Sequence, residues 1–125
     1  MRYMLLVYGD ERGWDTLSEE QQRQIVEVTN QNLQRLKSGG QYVTAAPLHP
    51  TSTATSVRMR DGVRLVTDGP FAETKEQLGG FYLIEAKDLE EAIDLAAGQP
   101  GVSWDWGAIE IRPVMELAGL PTASI

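Results

Sequence analysis

The segment Asp68-Gly69-Pro70-Phe71-Ala72-Glu73-Thr74-Lys75-Glu76-Gln77-Leu78-Gly79-Gly80-Phe81 gathers acids, a lysine, a hydroxyl and a glycine pair in one short stretch. A plain connection between strands needs only a few residues of turn chemistry. The density of functional groups here therefore points beyond turning. Asp68-Gly69-Pro70 reads as a sharp turn, with Gly69 free to take a positive φ and Pro70 fixing its own. Phe71 is expected to anchor the segment in the core. Glu73, Thr74, Lys75 and Glu76 then project polar groups at one place. A lysine beside acids can hold an anionic or carbonyl-bearing molecule, and a carboxylate can accept a proton. Asp68, Glu73 and Lys75 are the candidate acid–base residues of the segment. Gly69, Pro70, Phe71, Thr74 and Glu76 are its candidate ligand contacts. The competing reading is a solvated loop whose ion pairs contribute little.

Other residues with chemical potential are few. His49 is the single histidine, set between Pro47 and Pro50. It is the side chain that ordinarily titrates near neutrality, so it joins the acid–base candidates, against the common case of an unused surface histidine. Asp10 closes an apolar run and can face a cleft as a ligand contact, or simply cap a turn. Trp104 and Trp106 flank Asp105 and can line a pocket, although packing explains them better. The hydroxyl-rich run from Thr51 to Thr55 can bind an anion, and β-propensity explains it equally well. One histidine with scattered acids lacks the spacing of a metal site. No phosphate-binding glycine loop, dinucleotide fingerprint or nucleophile elbow is present. Neither a metal nor another cofactor is expected.

The elements that must position these residues follow from periodicity and punctuation. The 125 residues fit one domain, and a hydrophobic share of 42% supports a packed core. Tyr3 to Tyr8 reads as a buried first strand. Ser18 to Gln21 fits a capping box, followed by Ile25, Val28, Leu33 and Leu36 at helical spacing and a Gly39-Gly40 stop. Gln41 to Ala46 is a second strand. Ala54 to Arg60 and Val63 to Thr67 form a hairpin about Asp61-Gly62, the preferred pair for a two-residue turn. Gly80 to Ala86 is a further strand. Asp88 caps a helix with the stripe Leu89, Ala92, Ile93 and Ala96, and Ala108 to Arg112 alternates as the last strand.

The order β-α-β, hairpin, β-α-β predicts a ferredoxin-like α+β fold: an antiparallel sheet with two helices on one face and an inserted hairpin. The opposite face then needs a partner, and a homodimer with two sheets face to face, a dimeric α+β barrel, would supply it. The net charge of -7 disfavours nucleic acid as a direct partner. The absence of cysteine removes disulfides and thiol chemistry. The first apolar run is too short for a signal or membrane segment. A cytoplasmic protein is the expectation.

The Asp68 to Gly80 stretch, with Phe81-Tyr82-Leu83-Ile84 after it, resembles the signature of the DGPFAETKE proteins, a branch of the YCII-related family. Met1 to Asp10 resembles the family opening. Ala54-Thr55-Ser56-Val57-Arg58 is similar to its Thr-Ala-Thr-Thr-Val-Arg stretch, with Ser56 in place of a threonine. The resemblance spans most of the chain as a single YCII-related domain and implies the dimeric barrel. It also implies a small polar or aromatic ligand in a dimer cleft, with chemistry of the lyase or dehydrohalogenase kind. The alternative it implies is a non-catalytic ligand-binding or accessory protein linked to sigma-factor regulation. Some relatives carry a His-Asp pair proposed as catalytic, and no motif places His49 on that pair.

Overall fold

The computed structural model describes residues 1–103 and 105–120. The chain order is β1 (Arg2–Gly9), α1 (Glu11–Asp15), α2 (Glu19–Ser38), β2 (Tyr42–Pro47), β3 (Thr55–Arg60), β4 (Val63–Asp68), β5 (Gln77–Glu85), α3 (Leu89–Ala97) and β6 (Gly107–Pro113). Short 3-10 turns lie at Thr51–Thr53 and Pro100–Ser103. Four strands form one sheet in the order β2-β5-β1-β6, while β3 and β4 pair only with each other. Every pairing is antiparallel. The fold is ferredoxin-like, with the β3–β4 ribbon inserted between β2 and β5.

The centre of the sheet is β1 against β5, the two most apolar strands. Their register pairs Tyr3 with Ile84 and Leu5 with Tyr82. Tyr3, Leu5 and Ile84 share one face because side chains alternate across a strand. That face packs on Leu36 of α2 and on Ala92 and Ala96 of α3, which together make the buried core. Met4, Leu6, Phe81 and Leu83 point to the opposite face, where neither long helix lies.

Local chemistry fixes the ends. In the predicted capping box, the Gln21 amide donates to Ser18 Oγ at 3.1 Å and the Ser18 amide donates to Gln21 Oε1 at 2.9 Å. Asp88 Oδ1 accepts from the Glu91 amide at 2.9 Å, starting α3. Asp61 and Gly62 both take positive φ, 50° and 75°, which a two-residue hairpin turn requires.

Some expectations are corrected. Leu36 is buried as expected, but Val28 is 43% exposed, and Asn32 joins the buried side of α2. Asn32 is tolerated inside because its Nδ2 donates to the Gly98 carbonyl at 2.9 Å. On α3, Leu89 and Ile93 are exposed, and the small Ala92 and Ala96 let the helix approach the sheet. Phe71 is no core anchor: it is 74% exposed, with the Arg58 guanidinium stacked 4.7 Å from its ring centre. The hairpin stands off the sheet, so the segment that follows it has no core to enter. The second half of that segment is not loop, since β5 begins at Gln77. Trp104 and residues 121–125 lie outside the described residues.

Candidate functional site

Asp10 is the first residue past β1 and carries the side chain that starts α1. Its Oδ1 accepts from the Arg12 amide at 3.0 Å and from Arg12 Nε at 3.0 Å, and its Oδ2 accepts from Arg12 Nη2 at 2.7 Å. Both carboxylate oxygens are thus engaged by one residue. The Asp10 amide donates to the Trp106 carbonyl at 2.8 Å, which ties the end of β1 to the start of β6. The Trp106 ring lies against Gly9 and Gly13 and forms the floor on which α1 rests. The neighbouring acid is also anchored. Glu11 Oε1 accepts from the Thr51 amide at 2.7 Å, and Glu11 Oε2 accepts from Thr51 Oγ1 at 2.9 Å. The 3-10 turn before the hairpin is thereby fastened to α1.

The Asp68 to Gln77 segment closes over this assembly. Gly69 has φ of 110°, a value that side chains rarely adopt. Its amide donates to the Ala54 carbonyl at 2.7 Å and its carbonyl accepts from Ser56 Oγ at 2.8 Å. The Asp-Gly pair therefore stitches the base of the hairpin. Farther on, Gln77 Nε2 donates to the Thr74 carbonyl at 2.7 Å and to the Ala72 carbonyl at 3.1 Å. Thr74 Oγ1 donates to the Glu76 carbonyl at 2.5 Å. These bonds curl the segment and bring Lys75 toward Asp10.

A polar cleft of about 280 Å³ results, lined by Asp10, Glu11, Arg12, Thr51, Thr74, Lys75 and Gln77. Its ionic side chains are two acids and two cations. Arg12 is committed to Asp10, and Glu11 to Thr51. Among the described residues, Lys75 joins no ion pair. Its ammonium is the cation left to meet an incoming group. The hydrogen bonds from the Arg12 side chain, then from its amide, hold the Asp10 carboxyl down at about 2, against 3.8 for an ordinary aspartate. Burial opposes that shift, and the charges of Arg12 and Lys75 add to it. Asp10 is therefore a fixed negative strut at neutral pH, far from the proton affinity that suits a general base.

Of the residues singled out in the sequence, Asp10, Thr51, Thr74 and Lys75 meet in this cleft. Asp68, Gly69, Pro70, Phe71, Glu73, Glu76 and His49 are not among its lining residues. His49 is exposed in the connection after β2, and Glu73 and Glu76 are exposed on the segment. Sequence reasoning missed Glu11 and Arg12. The readable signal was Asp10-Glu11-Arg12 directly after a strand, where an acid caps a turn and a cation two residues on can reach back to it. Among the described residues no three His, Asp or Glu side chains group closely enough to hold a metal ion. No described helix is long and apolar enough to cross a membrane.

The family profile of the YCII-related domain matches residues 1–118. The chain belongs to the YCII-related family. It is also 37% identical over 114 residues to an uncharacterized protein, R00369, of Rhizobium meliloti (strain 1021). The match covers 91% of this chain and 92% of that protein. The YCII-related match takes in every residue that lines the cleft.

The Asp10 strut of this YCII-related domain has a pH signature. Its carboxyl titrates lower folded than unfolded. Its contribution to stability is therefore fully present above 3.8 and is lost as pH falls toward about 2. Asp10→Asn keeps an oxygen for the cap and removes the titration. In acid unfolding followed by circular dichroism, the wild type is expected to lose stability more steeply over that window than Asp10→Asn. Parallel curves would show that Asp10 is not so held.

Proposed function

We propose that the protein binds a small anionic or carbonyl-bearing molecule in the cleft between α1 and the Asp68 to Gln77 segment, with Lys75 as the direct charge contact. The observation that carries this reading is the arrangement of charge. Three of the four ionic side chains are tied to one another or to Thr51, and Lys75 is not. A ligand carboxylate there gains a charge-assisted hydrogen bond without displacing an existing partner. The adjoining acids, locked in place, supply selectivity by repelling anions that do not seat against Lys75.

Binding without acid–base chemistry fits this geometry better than a lyase or dehydrohalogenase role. Asp10 is too acidic for a general base. Asp68, Glu73 and His49 lie away from the cleft lining. A ligand-binding or accessory role, such as one linked to sigma-factor regulation, asks only for the charge contact. Calorimetric titration with benzoate tests the reading. Lys75→Ala should weaken benzoate about 10- to 100-fold, as expected for a hydrogen bond to a charged group worth about 1.5–3 kcal/mol. The thermal midpoint should be unchanged, because an exposed lysine contributes little to folding. Equal affinity in the two proteins would remove Lys75 from the site.

We further infer a homodimer closed through the helix-free face of the sheet. Met4, Leu6 and Phe81, half-buried around the buried Leu83, give that face an apolar centre, and a second copy can cover it. Light scattering at micromolar concentration should return twice the chain mass. A stable monomer would count against the inference.

A further inference from the structure

A cavity of about 220 Å³ lies between α2 and the helix-facing side of the sheet, apart from the polar cleft. The two share no lining residue, and the Trp106 ring covers Gly9 between them. Val7, Ile25, Leu33, Tyr82 and Ile109 give the cavity apolar walls. Among the described residues, none that lines it carries a charge at neutral pH. Burial pushes the pKa of the Tyr82 hydroxyl up, which keeps that wall neutral as well.

Gln99, just past α3, is out of keeping with such a wall. It lines the cavity and is 6% exposed. Its backbone amide donates to the Ala96 carbonyl at 3.1 Å, and its backbone carbonyl accepts from the Val102 amide at 3.3 Å. Its side-chain Nε2 donates to the Leu95 carbonyl at 3.2 Å. Its buried Oε1 alone has no hydrogen-bond partner among the described residues. Exchanging the two ends of the amide would not help, because it would set oxygen against the Leu95 carbonyl oxygen. A buried acceptor without a partner is costly, and a leucine would fill the same space without that cost.

We propose that this cavity is a binding site of its own for a neutral monocyclic phenol, with the ring between α2 and the sheet and the hydroxyl donating to Gln99 Oε1. The site is separate from the cleft and does not rest on Lys75. Size agrees, since an apolar cavity of about 150 Å³ already accommodates benzene and this one also has room for a hydroxyl. The outermost torsion of a glutamine is broad, so a small turn of the amide presents Oε1 to a donor in the cavity. A phenol donates more strongly than an aliphatic alcohol, because its ring spreads the charge that develops on oxygen. A carboxylate is excluded, since its charge would be buried with no cation among the lining residues to meet it.

Amide spectra of the ¹⁵N-labelled protein at neutral pH, titrated separately with phenol, toluene and benzoate, test it. Phenol should shift the Thr29, Gln99 and Gly101 amides along one saturation curve, and benzoate should leave them in place. Toluene has the same shape without the donor. Gln99→Leu should therefore weaken phenol at least fivefold and leave toluene no weaker than before. Ile25→Phe, which fills the cavity, should weaken both, and Thr29→Met replaces it if Ile25→Phe does not fold. Lys75→Ala should leave phenol unchanged, so the cleft and the cavity stand or fall separately. Equal effects of Gln99→Leu on phenol and toluene would remove Oε1 as the contact and overturn the proposal. Binding of toluene without phenol would overturn it as well. So would a phenol response confined to Thr74 and Gln77 of the cleft, or no saturable shift at all.

Discussion

Truncation of Ile84 to alanine is expected to lower the unfolding free energy by about 2–5 kcal/mol, the usual cost of removing a large aliphatic side chain from a core. Ile84 is fully buried, with 0% of its surface exposed. It sits one residue before the end of β5, opposite Tyr3 of β1 and Tyr42 of β2. Both long helices contribute to the cluster around it through Leu36, Ala92 and Ala96. Backbone pairing on either side holds the strand in place, so the surroundings cannot collapse into the space left behind. Urea unfolding reads the effect as a lower midpoint at unchanged slope. A loss under about 1 kcal/mol would mean that the centre of the sheet is not the core described here.

Gly13→Ala is the second large effect, and it acts on the site. A Cβ at Gly13 would lie 2.5 Å from Trp106 Cε2 and 2.6 Å from Cγ, and closer still to Cδ2. These atoms belong to the fused part of the ring, not to a flexible tip that can swing aside. Overpacking of this kind typically costs about 1–3 kcal/mol. The strain has one outlet, because the Trp106 carbonyl also receives the Asp10 amide at 2.8 Å. Moving the indole moves the cap of α1, and with it the Arg12 and Glu11 contacts that frame the cleft. The variant should be less stable by thermal melting and should also bind benzoate more weakly than wild type. A variant with wild-type stability would mean that the indole does not support α1.

The fold was legible in the sequence to the extent that local rules and packing agreed. The Ser18–Gln21 capping box, the Asp61-Gly62 turn and the Asp88 cap all formed as read, because each is satisfied within a few residues. The helix stripes were only partly readable. Leu36, Ala92 and Ala96 are buried as read, but Val28, Leu89 and Ile93 are exposed, and the sheet accepts Asn32, which the apolar pattern did not mark. Which residue faces inward depends on how closely each helix approaches, and no local pattern encodes that distance. Phe71 shows the same limit. An aromatic residue after a turn reads as an anchor, and only the separation of the hairpin from the main sheet leaves it outside under Arg58.

The candidate site was legible in its chemistry and not in its assembly. Lys75 and Thr74 stood out by functional-group density, and Asp10 by its place at a strand end. That these three meet depends on contacts between residues far apart in the chain. Glu11 reaches Thr51 across 40 positions, and Trp106 closes onto Gly13 from the last strand. The hydroxyl-rich run at Thr51 read equally well as an anion site or as strand propensity, and its first hydroxyl holds a carboxylate of the chain itself in the cleft. The sequence placed Asp68 and Glu73 ahead of Asp10 as acid–base candidates, because it does not say which acids the folded segment turns outward.

The central claim, that Lys75 receives the anionic group of a ligand in the cleft beside α1, is tested most directly by the structure of crystals grown with benzoate. The account predicts the benzoate carboxylate within about 2.7–2.9 Å of Lys75 Nζ, the distance of a charge-assisted hydrogen bond, with the Asp10–Arg12 pair intact beside it. A carboxylate bound away from Lys75, or seated in the place of Asp10 against Arg12, would contradict it.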